Sequence, residues 1–212
     1  MLPSRLPGLS SLSASSDYIK SGVAFLVSTL LLTTPAWAHE THFGFGGFYD
    51  GLIVPFLFVP TIISIVCYVL VNAETNAKNI SIFAGTLLLS LILGLYVSFE
   101  ENAGFALNLV ILTLSLVLVI GGTLRGNFSL VAGVVVGLVN GVALSAGHGV
   151  IGESLLYHGG VVVSLCLEVA FLSVLLTLVT ERLPVIVVKR SRQIIGAWAF
   201  AIVALLIAVN SQ

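Results

Sequence analysis

The sequence predicts an all-α, polytopic membrane protein: a bundle of six transmembrane helices behind a cleaved signal peptide. Three observations carry that expectation. Hydrophobic residues make up 58% of the chain and charged residues 8%, against about 25% charged in an ordinary soluble domain. Polar groups are too few to cover a water-facing surface, so the solvent must be lipid. Several apolar runs reach about 17 to 22 residues, the length at which a helix crosses a hydrocarbon core of roughly 30 Å. Strand-like alternation of apolar and polar residues is absent, which argues against a transmembrane barrel.

The chain opens with a secretory pattern. Arg5 and Lys20 precede the apolar stretch 23–32, and Pro35-Ala36-Trp37-Ala38 supplies a small-x-small cleavage site. A stretch of about ten apolar residues is too short to span. Residues 1–38 are therefore expected to be a signal peptide and 39–212 the membrane domain. The alternative for this stretch is an uncleaved anchor helix.

The six spans are expected at 52–71, 80–98, 104–122, 128–147, 159–180 and 194–210, joined by short polar connections. Short connections make neighbouring helices antiparallel, and no second domain is expected. Pro55 and Pro60 fall in the first span, where each removes a helix hydrogen bond. A hydroxyl such as Thr61, or a neighbouring helix, is expected to satisfy the freed groups. Gly133, Gly137, Gly141, Ser145 and Gly149 recur every four residues along the fourth span. Such a stripe of small residues lets another backbone approach closely, and is read as packing. Asn140 beside it is the polar group expected to face the interior. Cys67 and Cys166 lie at different depths, so both are read as small buried hydrophobes rather than a disulfide.

Charge divides along the same pattern. Lys78, Arg125, Arg182, Lys189, Arg190 and Arg192 all fall on one side of a six-span topology. Cations stay cytoplasmic, so that side is inside and both mature termini are outside. The expected location is a bacterial inner membrane, or a thylakoid membrane in a photosynthetic host. The only basic patch is a short one at the end of a span, which gives nucleic-acid binding no support.

All four histidines, His39, His42, His148 and His158, fall on the outer side, with Glu40, Asp50, Glu100, Glu101 and Glu153. Imidazole and carboxylate suit divalent first-row metals where thiolates are absent, and acids at a pore mouth concentrate cations. The plainer alternative is that loops are polar anyway. Cleavage after Ala38 would give His39 a free α-amine, which chelates with its own imidazole while His42 adds a third nitrogen. That set suits Cu, Ni or Co better than Mg or Ca. The "GFGG" that follows makes it a capture arm rather than a rigid cage. Glu168 lies near the middle of the fifth span, where inserting an acid costs on the order of 3 kcal/mol. It must face the interior, be protonated, or pair. The functional reading is proton or cation coupling; the structural one is a carboxyl hydrogen-bonded to Asn140, Asn108 or Ser164. The candidate metal-handling residues are thus His39, His42, His148, His158 and Glu168.

A cleaved signal, a histidine-containing mature start, a "GGF" stretch and six spans together resemble the HupE/UreJ family. Those are small bacterial membrane proteins associated with nickel or cobalt uptake. The likeness runs from about His39 to the end. "GGFYDGLIVPFLFVPTIISI" is similar to the family's first-span pattern at Phe48, Gly51 and Pro55. "ENAGFALNLVILTLSLVL" resembles its third span, and "GLVNGVALSAG" its fourth, with Gly141 and Ala143 matching. The departures fall on ligands. The family's first-span His, Asp and His stand at Val54, Pro60 and Thr61 here, and its fourth-span histidines at Asn140 and Leu144. The resemblance implies a divergent permease whose metal path uses other groups.

The leading expectation is therefore a permease that handles a divalent transition metal, with Ni, Co or Cu as substrate and no resident cofactor. The second is a non-transporting scaffold or assembly subunit of a larger membrane complex. Beyond the lipid bilayer and the metal ion, either a homo-oligomer or a membrane-complex partner fits. An intramembrane serine protease built on Ser154, His148 and His158 is a third class. The serine lacks a G-x-S-G context and the histidines share its loop, so no enzyme activity is expected.

Overall fold

The first apolar segment cannot be one straight helix. Pro60 has no N–H to return to the Phe56 carbonyl, and its ring would strike that carbonyl in a continuous helix. In the computed structural model the chain resolves this at Phe58, which leaves helical geometry with φ −85° and ψ 89°. The helix then restarts with Pro60 in its first turn, where an N–H has no intrahelical partner to lose. The result is two helices, α1 (Gly47–Leu57) and α2 (Val59–Val71), bent by 66° at the break.

Residues 47–73, 77–97, 102–146 and 155–210 are described by the structure. Beyond α1 and α2 they form α3 (Ala77–Leu95), α4 (Ala103–Val119), α5 (Asn127–Ala146), α6 (Leu155–Arg182) and α7 (Val185–Asn210). Every regular element among them is helical. The expected signal peptide, 1–38, lies outside the described residues.

Two sets of contacts define the ends of the bundle. Leu124 N donates to Val71 O at 3.0 Å, and Arg192 Nη2 donates to Gly122 O at 3.1 Å. The α2–α3, α4–α5 and α6–α7 connections therefore share one end, where Arg125, Arg182, Lys189, Arg190 and Arg192 also fall. This is the basic end. At the opposite end Tyr157 OH donates to Leu144 O at 2.9 Å.

Helices pair where side chains are missing. α3 packs most closely on α5, α1 on α6, and α4 on α7. A Cβ added to Gly137 or Gly141 of α5, or to Gly94 of α3, would fall closer than 3.0 Å to backbone of the facing helix. Gly51 of α1 and Gly160 of α6 stand in the same relation to each other's helices, and Gly196 of α7 meets Leu118 of α4. Without a hydrophobic force between helices in lipid, close backbone approach of this kind is what holds neighbours together. Gly133, at the start of the stripe, meets a side chain instead, the Tyr68 hydroxyl. α2 sits at the centre, touching α1, α4, α5, α6 and α7, with Ile65, Cys67 and Val71 fully buried.

Length separates the helices into classes, and here the expected count of six spans is not met. Among the described residues three helices, α5, α6 and α7, are long and apolar enough to cross a membrane, and the bent pair α1–α2 passes as a fourth if taken as one span. α4 has 17 residues, about 25 Å at 1.5 Å per residue, short of a hydrocarbon core of roughly 30 Å. The apolar part of α3, Ser81–Leu95, is shorter still. The last two helices are longer than expected. The basic run before residue 194 reads as a loop by charge, yet it is helical from Val185. Pro184 opens that helix by accepting from Val187 N at 2.9 Å and Val188 N at 3.2 Å.

The end of α4 is set by Gly121 at φ +74°. Its N–H donates to Leu118 O and that of Gly122 to Val117 O, the paired closure that a left-handed residue makes possible after a helix. The remaining carbonyls at this end face α7: Gln193 Nε2 donates to Val119 O at 3.2 Å, beside the Arg192 bond to Gly122. Basic and amide donors thus sit on the negative end of the α4 dipole.

Candidate functional site

α6 carries polar side chains at two levels, and both are buried. The first level is at the end opposite the basic one. Gly51 and Gly160 bring α1 against the first turns of α6. That contact buries Asp50, Tyr157 and His158 together at one end of the bundle. The His158 ring meets Tyr96, just past α3, edge-to-face with centroids 5.0 Å apart. His158 is only 7% exposed, so the histidine expected in an outer loop is instead a wall of the bundle. The loop reading failed because charge and polarity alone placed the start of the fifth span at 159, whereas the helix begins at Leu155.

The second level is halfway along α6. Glu168 is 6% exposed, and neither of its carboxyl oxygens has a hydrogen-bond partner among the described residues. One turn earlier, Ser164 Oγ is also buried and without one. The expected partners of Glu168 are absent or engaged elsewhere. Asn140 Nδ2 donates to Ser64 Oγ at 2.9 Å and to Val136 O at 2.7 Å. Asn108 Oδ1 is buried without a partner, as is Thr61 Oγ1. Thr61 therefore does not satisfy the broken helix through its hydroxyl. The Phe58 carbonyl accepts from Thr61 N at 2.9 Å and from Ile62 N at 3.4 Å instead.

Helix direction orders these groups along the bundle. α2, α4 and α6 all run toward the basic end. A single cavity wall joins Tyr68 of α2, and Asn72 just past it, with Val169 and Ser173 of α6, so Glu168 lies near the level of Tyr68, while Thr61, Ser64 and Ser164 lie one to two turns nearer the opposite end. The ends of α2 and α4 meet through Val71 and Leu124, which sets Asn108 level with the break at Phe58. Buried oxygen-bearing side chains of α2, α4, α5 and α6 thus lie between the break in the first segment and the level of Glu168, the ionisable group at the end of that stretch.

The expected metal-handling set does not gather at one point. His39, His42 and His148 lie outside the described residues. His158 and Glu168 share α6 ten residues apart, about 15 Å along the axis at 1.5 Å per residue. They cannot both ligate one ion. Among the described residues no group of three or more His, Cys, Asp or Glu side chains could hold a metal. Gly133, Gly137 and Gly141 line the α5 face already described. Cys67 is buried and Cys166 partly buried, and both are free thiols.

Sequence reasoning passed over Ser64, Tyr96 and Tyr157. Ser64 carries no signal of its own in an apolar run; only its bond to Asn140 marks it. Tyr157 did carry one, since it lies three residues before Gly160, the spacing at which a helix presents both to the same neighbour.

The chain matches no known protein family, no curated protein and no solved structure.

Proposed function

We propose that the chain is a membrane permease of six crossings that handles a divalent transition-metal cation, nickel or cobalt in the first place, as its resemblance to the HupE/UreJ family implies. One observation carries the reading: Glu168, buried halfway along the longest described helix with both oxygens unpartnered among the described residues. An acid at that depth is costly and is kept where ions or protons pass. The break at Phe58 supports it, because discontinuous helices at mid-bilayer expose backbone groups to a substrate. A divalent ion arriving from the outer face would meet Asp50 and His158 first, then the buried hydroxyl and amide groups, and Glu168 after them. In the six-crossing reading α3 and α4 span by thinning the bilayer locally, at fractions of a kcal/mol per Å of mismatch. The basic end faces the cytoplasm.

The test is uptake of labelled Ni²⁺ and Co²⁺ by cells making this chain, beside the Glu168→Gln and His39→Ala/His42→Ala variants. Uptake above that of empty cells, falling to background in Glu168→Gln, is expected. Uptake equal to empty cells overturns the permease. The double histidine variant separates capture from passage, since loss of capture lowers uptake most at low metal concentration.

The second reading is a non-transporting scaffold subunit. It is favoured by the outward faces of α6 and α7, where Phe171, Val174, Leu178, Ile186 and Trp198 are exposed. Co-purification with a membrane partner, without metal uptake, selects it.

A further inference from the structure

Toward the basic end, α2, α3 and α6 line a half-open cavity of about 180 Å³. Tyr68 of α2, Asn72 just past it, and Ser173, Thr177 and Thr180 of α6 are its polar groups, set among apolar side chains such as Phe83 and Leu176. Ser173, Thr177 and Thr180 put three hydroxyls on one face of α6. On α6 the cavity reaches Val169, the residue after Glu168.

The protons of these groups are turned away from the space. Thr177 Oγ1 donates to Ser173 O and Thr180 Oγ1 to Thr177 O, each at 2.9 Å. Tyr68 OH donates to Phe83 O at 3.3 Å, and Asn72 Nδ2 to Tyr68 O at 2.8 Å. Asn72 Oδ1 takes the proton of Ser129. What remains for an occupant is mostly lone pairs, with the Ser173 hydroxyl free to turn either way. The carbonyl end of α2 closes the same wall, and a helix C-terminus favours positive charge. Glu181 and Arg182, just beyond Thr180, offset each other in charge.

We propose that this cavity is a hydrated vestibule through which a small cation, carrying its own water, passes between the basic end and the level of Glu168. A cavity of this size holds several waters, and the hydroxyl and amide oxygens set in its otherwise apolar wall give them partners. The inference rests on the permease reading for its purpose, but its chemistry is tested without transport.

The test uses thiol accessibility in membrane vesicles of the full chain, with Cys67→Ala and Cys166→Ala as background. Ser173→Cys and Thr177→Cys probe the cavity, and Val174→Cys probes the outward face of the same turn. Each is treated with membrane-impermeant methanethiosulfonates, one cationic and one anionic, from the face that exposes the basic end. The cavity positions should react at least tenfold faster than Val174→Cys, and several-fold faster with the cationic reagent. Equal rates at positions 173 and 174 would make the cavity a groove filled by lipid and overturn the proposal. A faster anionic reagent would overturn its cation chemistry. If the α6 variants fail to insert, Ala73→Cys on the opposite wall gives the same readout. Metal uptake equal to empty cells, with the accessibility pattern intact, would remove the permease and leave the vestibule standing.

Discussion

Ser64 and Asn140, 76 residues apart in sequence, are bonded inside the bundle: the Asn140 amide donates to Ser64 Oγ at 2.9 Å, and the Ser64 hydroxyl donates on to Thr61 O at 2.7 Å. Both side chains are fully buried. The chain of bonds runs from α5 through Ser64 to the first turn of α2, just past the break. It fixes how the restarted helix is held against the glycine-rich face of α5.

Asn140→Ala removes that tie and leaves Ser64 Oγ without its amide donor. The loss should be about 1 kcal/mol, since interhelical hydrogen bonds in membranes average about 0.6 kcal/mol and an orphaned buried group adds to that. Thermal unfolding of the detergent-purified protein measures it. A double-mutant cycle with Ser64→Ala should give a coupling of roughly 0.5 to 1.5 kcal/mol. Additive effects would mean that the pair does not act as one unit.

The glycines of α5 should rank by what a Cβ meets. At Gly137 and Gly141 it meets backbone of α3, which cannot move without separating the helices. At Gly133 it meets the end of the Tyr68 side chain. Gly137→Ala and Gly141→Ala should each cost roughly 1–3 kcal/mol, the range for overpacking, and Gly133→Ala less. Gly85→Ala, on α3 in open space, should gain up to about 1 kcal/mol from helix propensity. Melting temperatures of the four variants give the order, and a tolerant Gly141 would show that α3 and α5 do not meet there.

Much of this arrangement was legible beforehand, for physical reasons that differ by residue. Apolar run length gives helices, and a four-residue stripe of small residues gives a helix face that packs closely. Asn140 was legible as interior because a buried amide in an apolar helix needs a partner. The break at Phe58 was only half legible: the prolines announce a disturbance, but a kink and a 66° turn arise from the same two rings. The helical start of α7 was hidden by its charge. Arg192 and Gln193 are polar because they reach the carbonyls ending α4, a tertiary reason that no local pattern carries. His158 was misplaced because its surroundings come from distant segments: Gly51, 107 positions earlier, lets α1 close on the start of its helix, and its ring packs on Tyr96.

The cap on α4 is separately testable. Arg192 is buried and donates to Gly122 O, while Gln193 donates to Val119 O. Arg192→Ala should cost about 1.5–3 kcal/mol, the range for a hydrogen bond from a charged donor. Gln193→Ala, at an exposed bond, should cost less than about 1 kcal/mol. Protease sensitivity of the connection 120–126 reads the local effect: it should rise in Arg192→Ala and stay near wild type in Gln193→Ala. Equal sensitivity in the two variants would mean that Arg192 does not hold this turn.

Glu168 makes the sharpest prediction, because stability and function should move in opposite directions. Its two oxygens are buried without partners among the described residues, and an unsatisfied buried polar group costs about 1–3 kcal/mol, more when charged. Glu168→Leu fills similar volume with no polar atom. It should raise stability by about that amount, which is a shift of roughly 2–4 °C per kcal/mol for a domain of this size. Glu168→Gln keeps a polar group in the same place and should gain little. If the carboxyl serves only the fold, both variants keep whatever uptake the wild type has. If it serves passage of a cation, both lose it, and the more stable protein is inactive. Measured together in one membrane preparation, melting temperature and metal uptake separate the cases. A lower melting temperature in Glu168→Leu would mean that the carboxyl has a partner after all, and would move the search for the cation path away from α6.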